Sequence, residues 1–215
     1  WAQEMRDSEG ALRGFTPDTV LLALDGRTAW PDLLAGRETP GGAMSAIESA
    51  IDTFRVWSSA NIVIQNACLP VELPDGLLDG CREGGVRERV AEFNLRLGRM
   101  ARAHRGVYVF DYEALAARHG TRAWHDPRKW ELVRMPLAAS SLLPVAKEWM
   151  RFLHPLAGKV AKVCVTDLDN TLWGGVVGED GVDGLHLAGE GAGSPWFAVQ
   201  EALLRLYDRD RKSVV

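Results

Sequence analysis

Two acidic residues, Asp167 and Asp169, follow the apolar run at residues 163–166 in the segment KVCVTDLDNTLWGGVVGEDG (residues 162–181). If that run is a parallel strand, Asp167 lies at its carboxyl end, where open α/β sheets bind ligands. Residues i and i+2 of an extended backbone point the same way, so both carboxylates can face one site. At about 4 Å they would repel by roughly 4 kcal/mol at an effective dielectric of about 20. A bound Mg²⁺ would offset that repulsion, because it prefers oxygen ligands and bridges carboxylates to phosphate.

This pair of acids is typical of phosphoryl transfer. One carboxylate can attack a phosphoryl group while the other protonates the leaving oxygen. Thr171, two residues further on, either hydrogen-bonds a phosphate oxygen or caps the turn. The alternative is that Asp167 and Asp169 are loop acids that only cap backbone amides. The strand-like run before them and the T-L-W-G-G sequence after them favour the functional interpretation.

Composition and charge exclude several classes of protein. The 215 residues are 47% hydrophobic and 25% charged, which is typical of a soluble globular protein with a real core. A net charge of −4 gives no support to nucleic-acid binding. No apolar run is long enough for a membrane span, and the first ten residues are no signal peptide. Three scattered cysteines predict no disulfide framework and fit a reducing cytoplasm.

Strands and helices alternate through the first half of the chain. Apolar runs at residues 19–24, 61–65 and 107–110 predict three buried strands. Helical spacing of apolar residues predicts two long helices between the strands, with these residues on their buried faces: Met44, Ile47, Ile51, Phe54, Val86, Val90, Phe93, Leu97 and Met100. Asp111 is placed to cap a further helix. This alternation predicts a parallel sheet with helices on both faces.

The pattern changes after the helix predicted to end near residue 157. Residues 162–166 (KVCVT) predict a fourth buried strand, and the glycine-rich residues 173–193 predict a small β-hairpin or flap. Ser194 and Pro195 are a good helix start. We therefore predict two domains, at residues 1–157 and 158–215.

The motif DLDNTLW (residues 167–173) resembles D-x-D-x-T, the first motif of the haloacid dehalogenase (HAD) superfamily of phosphoryl-transfer enzymes. The longer string DLDNTLWGGVVGEDG is similar to the FkbH-like branch of that superfamily. Residues 17–27, 111–120 and 124–137 resemble the domain that precedes the HAD domain in that branch. The resemblance covers essentially the whole chain.

By that resemblance, the fold is a doubly wound parallel sheet of SGNH-hydrolase type, followed by the first strand, flap and helix of a HAD-type Rossmann-like domain. Asp167 would be the nucleophile and a Mg²⁺ ligand. Asp169 would be the general acid/base, with its backbone carbonyl as a second ligand. Leu168, Asn170 and Thr171 are assigned to substrate binding. Family members load a three-carbon glyceryl unit from bisphosphoglycerate onto the phosphopantetheine thiol of an acyl carrier protein, removing phosphate.

Two alternatives to that activity stay open. One is a plain HAD phosphatase acting on a small phosphorylated metabolite. The other is a truncated, inactive chain whose first domain only docks a carrier protein or a sister subunit. The later HAD motifs are expected beyond Val215 and the SGNH nucleophile strand before Trp1, so the chain is expected to begin and end inside domains.

Weaker candidates have simpler structural explanations. Asp25 and Gly26 favour a turn over an oxyanion hole, because no asparagine accompanies them. Asn66 either lines a cleft or makes a loop hydrogen bond. At His125-Asp126 the following proline favours a turn over a catalytic pair. Cys164 is expected to be a buried, inert thiol. His186 is expected to be a solvated side chain of the flap, although it could meet a substrate phosphate.

Overall fold

The computed structural model describes residues 1–161, 163–187 and 189–209. The chain forms two compact units, Trp1–Val160 and Ala161–Val215. The first unit contains a parallel sheet in the order β1-β2-β3, with strands β1 (Thr19–Leu22), β2 (Asn61–Gln65) and β3 (Val107–Phe110). All three strands lie where the apolar runs predicted them.

Helices connect and cover these strands. Those of the first unit are α1 (Ala2–Arg6), α2 (Ala11–Phe15), α3 (Gly26–Ala29), α4 (Pro31–Ala35), α5 (Pro40–Arg55), α6 (Val86–Ala103), α7 (Tyr112–His119), α8 (Thr121–Trp124), α9 (Pro127–Val133) and α10 (Ala139–Leu156), with a 3₁₀ turn at Gly76–Cys81. Every apolar residue predicted to face the core from α5 and α6 is buried. Asp111 caps α7 as predicted, accepting a hydrogen bond from the Ala114 amide at 3.1 Å. None of the described helices is long and apolar enough to cross a membrane.

Both faces of the sheet are covered. Successive side chains of a strand point to opposite faces. Ile62 and Ile64 of β2 accordingly pack in one apolar cluster with α5 and α6, whereas Val63 packs in another with Phe110, α7 and α10. The predicted parallel, two-sided α/β sheet is confirmed. Within the described strands the order is sequential and does not reverse, so the doubly wound, SGNH-like detail stays a prediction.

The described residues of the second unit form two α-helices, and the prediction of a strand at its start is wrong. The helices are α11 (Val177–Asp180) and α12 (Ser194–Arg209), with 3₁₀ turns at Val182–Gly184 and Gly191–Gly193. Residues 163–167 form no regular secondary structure, and Val163 and Val165 are 76% and 89% exposed. A strand is stable only when a neighbour satisfies its backbone groups, and no described strand pairs with this segment. Lys162, at the start of the predicted run, lies outside the described residues.

Half of the described residues in the predicted flap, at residues 173–193, lie in helical turns. One isolated antiparallel bridge joins Gly174 to His186, through backbone hydrogen bonds of 3.2 and 2.8 Å. Between these two residues, the side chain of Asp180 accepts a hydrogen bond from the Val176 amide at 2.8 Å and closes the turn of α11. This local side-chain bond takes the Val176 amide and so competes with continuation of the hairpin ladder. Ala188, within the predicted flap, lies outside the described residues.

Candidate phosphoryl-transfer loop

The residues after Asp167 form a closed loop in the second unit. Asn170 adopts a left-handed backbone conformation with φ of +53°, which asparagine tolerates better than most residues. It exchanges two hydrogen bonds with Gly175. The Asn170 amide donates to the Gly175 carbonyl at 3.2 Å, and the Gly175 amide donates to Asn170 Oδ1 at 3.0 Å. The amides of Thr171 and Leu172 both donate to the Leu168 carbonyl. Asn170 therefore shapes the loop through both its backbone and its side chain, and Thr171 through its backbone amide.

The carboxylate of Asp169 is held by this loop. Its Oδ1 accepts hydrogen bonds from the Trp173 indole Nε1 at 3.0 Å and from the Val177 amide at 3.2 Å. The residue is half-buried. Two donors on one oxygen fix the orientation of the carboxylate, and no described residue donates to its Oδ2.

Asp167 is placed differently. It is exposed, and its Oδ1 accepts a hydrogen bond from the amide of the next residue, Leu168, at 2.8 Å. The Thr166 hydroxyl donates to the Asp167 carbonyl at 3.0 Å. Among the described residues, the Leu168 amide is the only hydrogen-bond donor to this carboxylate. The structure thus leaves the Asp167 carboxylate accessible to solvent, two residues before the fixed Asp169.

Three side chains that the sequence analysis missed support the loop. Trp173 orients Asp169, Gln200 Nε2 donates to the Leu172 carbonyl, and the ring of Trp196 packs against Gly174. A Cβ on Gly174 would lie 2.6 Å from two atoms of that ring. Trp196 and Gln200 lie one helical turn apart on α12. Nothing in the sequence showed which residues these two side chains would contact.

His186 also belongs to this group. Its ring stacks on Trp196 with centroids 6.3 Å apart and an interplanar angle of 23°. The residue is exposed, as expected of a solvated side chain. Its backbone bridge to Gly174 ties the glycine-rich segment to the loop.

The oxygen atoms that this loop can offer as metal ligands are of the type that Mg²⁺ binds. Asp167 and Asp169 offer carboxylate and carbonyl oxygens, the ligands that Mg²⁺ prefers. Neither carboxylate pairs with a described Lys, Arg or His, so their charge is uncompensated within the described chain. No group of three or more His, Cys, Asp or Glu among the described residues could hold a metal.

The first-unit candidates near the sheet edge have structural roles. Asp25 caps α3 and accepts a hydrogen bond from the Arg27 amide at 3.2 Å. Asn66 makes the alternative loop bonds, because its Nδ2 donates to Asp111 Oδ1 at 2.9 Å and its Oδ1 accepts from the Glu113 amide at 3.0 Å. Gly26 forms the first residue of α3. The hydrogen bonds of Asn66 to Asp111 and Glu113 connect the carboxyl ends of β2 and β3.

The remaining candidates of the sequence analysis are Asp126, His125 and Cys164. Asp126 caps α9, in agreement with the expected turn. His125 lies 3.0 Å from the Thr121 carbonyl through Nδ1, which must carry the hydrogen because the carbonyl can only accept. Burial lowers the pKa of His125, so the ring is neutral at pH 7. Cys164 is exposed, so the prediction of a buried thiol is wrong for the same reason as the strand that contained it.

Comparison with known proteins adds one finding at the level of fold. No protein-family model and no curated protein matches this sequence. The chain is similar to the crystal structure of the N-terminal part of the protein BF1531 from Bacteroides fragilis, which contains a phosphatase domain and is complexed with Mg. The TM-score is 0.77 at 18% sequence identity, over 96% of this chain and 56% of that chain. The two chains share an α/β fold, and this chain spans just over half of the other.

Proposed function

We propose that the loop at residues 167–175 is the nucleophile loop of a Mg²⁺-dependent phosphatase of HAD type. The observation that carries the proposal is that Asp167 has an exposed carboxylate and that Asp169, two residues further on, has a carboxylate fixed by two N–H donors. The phosphatase domain of the structurally similar protein supports the same chemistry. The resemblance of residues 167–173 to the D-x-D-x-T motif supports the assignment of roles.

In the first step, a carboxylate oxygen of Asp167 forms a bond to the phosphorus of the substrate. The bond between phosphorus and the leaving oxygen breaks, and Asp169 donates the proton that this oxygen needs. In the second step, the oxygen of a water molecule forms a bond to the phosphorus of the aspartyl phosphate while Asp169 takes a proton from that water. The bond between phosphorus and the Asp167 oxygen breaks, so inorganic phosphate leaves and the Asp167 carboxylate is restored. Mg²⁺, held by the Asp167 carboxylate and the Asp169 carbonyl, would supply charge neutralisation for the phosphoryl oxygens.

The loop contacts explain how Asp169 could serve both steps. Its Oδ1 is occupied by Trp173 and Val177, so Oδ2 is the oxygen left to exchange a proton. A carboxylate locked in this way keeps the same oxygen directed to the substrate throughout the reaction. Asp167, by contrast, must be reachable by a phosphoryl group, which agrees with its exposure.

The finer proposal concerns substrate and partner. We propose a phosphorylated three-carbon substrate, whose glyceryl unit is loaded onto the phosphopantetheine thiol of an acyl carrier protein with loss of phosphate. Its support is the resemblance of residues 17–27, 111–120, 124–137 and 167–181 to the FkbH-like branch. A plain phosphatase and a docking module without activity are the competing outcomes.

Turnover of an aryl phosphate with and without Mg²⁺ tests the phosphatase proposal, together with Mg²⁺ binding by calorimetry. Asp167→Asn is expected to abolish Mg²⁺-dependent turnover and to weaken Mg²⁺ binding. Asp183→Asn, which alters an exposed acid of the same unit, is the matched control and should change neither. Turnover that survives in Asp167→Asn would remove Asp167 from the mechanism. A wild-type chain that neither turns over substrate nor binds Mg²⁺ would refute the proposal for this polypeptide.

Mass spectrometry of a phosphopantetheinylated carrier protein tests the finer proposal. With bisphosphoglycerate and Mg²⁺ supplied, the carrier is expected to gain the mass of a glyceryl unit. Aryl-phosphate turnover without loading would favour the plain phosphatase. A stable complex without either activity would favour the docking module.

A further inference from the structure

One region of the first unit is basic although the whole chain is acidic. Between residues 118 and 151 the sequence has seven Lys and Arg but three Asp and Glu, whereas the chain carries a net charge of −4. The cations are Arg118, Arg122, Arg128, Lys129, Arg134, Lys147 and Arg151. A local excess of one sign attracts partners of the opposite sign.

Part of this charge surrounds a groove between α7 and α10, of about 360 Å³. Arg118 and His119 line it from α7, and Lys147 and Arg151 line it from α10. All four residues are exposed. Lys147 and Arg151 are four residues apart and therefore share one face of their helix. The two helices together present cations on both sides of the groove.

The groove also has an apolar part. Leu143 lines it with its side chain 62% exposed, next to Pro144. Below them Leu115 packs in the core cluster of α7 and α10. An exposed leucine between cations favours a ligand that has both apolar and acidic groups. A small inorganic anion would leave the leucine in contact with water.

The cations of the groove are only partly neutralised. Arg151 pairs with Glu148 at 2.8 Å. Neither Arg118 nor Lys147 forms an ion pair within the described residues. His119 is held by its ring, which packs 5.2 Å from that of Trp124. Two cations on opposite helices are therefore available to a partner.

We propose that the groove between α7 and α10 docks an acidic amphipathic helix of a partner protein. Leucine-type side chains of that helix contact Leu143, while its carboxylates pair with Arg118 and Lys147. Helices that bind grooves in this way present apolar residues at i, i+3, i+4 and i+7, so acidic residues can flank the same face. The proposal does not depend on the phosphoryl chemistry of the other unit.

Fluorescence anisotropy with two labelled helical peptides tests the proposal. Both peptides have leucines on one face; glutamates flank that face in the first, and lysines replace the glutamates in the second. The acidic peptide is expected to bind the wild-type protein at about 30 mM salt and about tenfold more weakly near 300 mM, because exposed charges are screened. The lysine peptide is expected not to bind.

Three variants locate the binding. Lys147→Glu should raise the Kd of the acidic peptide about tenfold, and Leu143→Ala should raise it about threefold. Both side chains are exposed, so these substitutions leave the core of the protein intact. Arg99→Glu is the matched control with the same charge change. It alters an exposed residue of α6, which packs against the other face of the sheet, and should leave the Kd unchanged.

The proposal would be overturned by any of three results. These are equal binding of the acidic and lysine peptides, equal effects of Lys147→Glu and Arg99→Glu, and no peptide binding at low salt. Sedimentation with anionic phospholipid vesicles tests the alternative that the groove binds the negatively charged surface of a membrane. Vesicle binding that Lys147→Glu abolishes, without peptide binding, would assign the groove to a membrane surface instead. Circular dichroism of each variant establishes that it is folded.

Discussion

Replacing Gly174 with alanine should loosen the second unit by overpacking. The new Cβ would lie 2.6 Å from two carbons of the Trp196 ring, whereas carbon atoms in contact are about 3.5–4.0 Å apart. The ring or the loop must therefore move by roughly 1 Å. Gly174 lacks a positive φ, so the backbone itself accepts alanine and the cost is steric. Overpacking of this kind costs about 1–3 kcal/mol.

Hydrogen exchange at the amides of Gly174 and His186 measures this cost, because these amides form the bridge beside Trp196. Local opening is expected to become easier by about 2 kcal/mol in Gly174→Ala. In a Trp196→Leu background the same substitution should cost little, since the clashing ring atoms are gone. Gly178→Ala, in α11 with no atom within 4 Å of the new Cβ, is the control and should be neutral or slightly stabilising. Equal costs of Gly174→Ala in both backgrounds would refute the steric explanation.

Three further predictions concern single side chains. Trp173→Phe removes one of the two N–H donors to Asp169. The kcat for an aryl phosphate should therefore fall about tenfold while KM changes little. An unchanged kcat would contradict the role of Trp173 in positioning Asp169. Burial raises the pKa of the Glu113 carboxyl. Its contribution to the free energy of unfolding is therefore present below about pH 4.3 and is lost as pH rises through the folded-state pKa. Urea denaturation from pH 4 to 7 should show that the free energy of unfolding depends less on pH in Glu113→Gln than in the wild type. Iodoacetamide at pH 8 should label the exposed Cys164 well before Cys68, whose pKa burial raises to about 12, and mass spectrometry that found equal rates would contradict this.

The first unit could be predicted well because its elements are specified locally. The apolar residues of α6 recur at helical spacing, and Asp111 lies at the N-cap of α7, so each element carries its own signals. The same reasoning failed at Val163 and Val165. A strand depends on a neighbouring strand, and an apolar run alone cannot supply one. The number and order of strands are likewise a property of the whole sheet.

The candidate site was only partly predictable for a similar reason. Asp167 and Asp169 were identifiable because their spacing and types carry the chemistry. The contact between Gly174 and Trp196 joins residues far apart in sequence, so nothing local indicates it. The groove at Lys147 was also not foreseen, because charges on two helices form one surface only after α7 and α10 pack together.

The mutual hydrogen bonds of Asn170 and Gly175 have a consequence for mutational scans of the loop. Residue 170 needs a left-handed backbone and a short side chain that can accept a bond, and residue 175, with φ of +106°, needs a glycine. Saturation mutagenesis should therefore find these two positions nearly as intolerant as Asp167. The intolerance of residues 170 and 175 would reflect loop geometry, whereas that of Asp167 would reflect chemistry. Measuring protein abundance and enzymatic activity for the same variants should separate these two kinds of position.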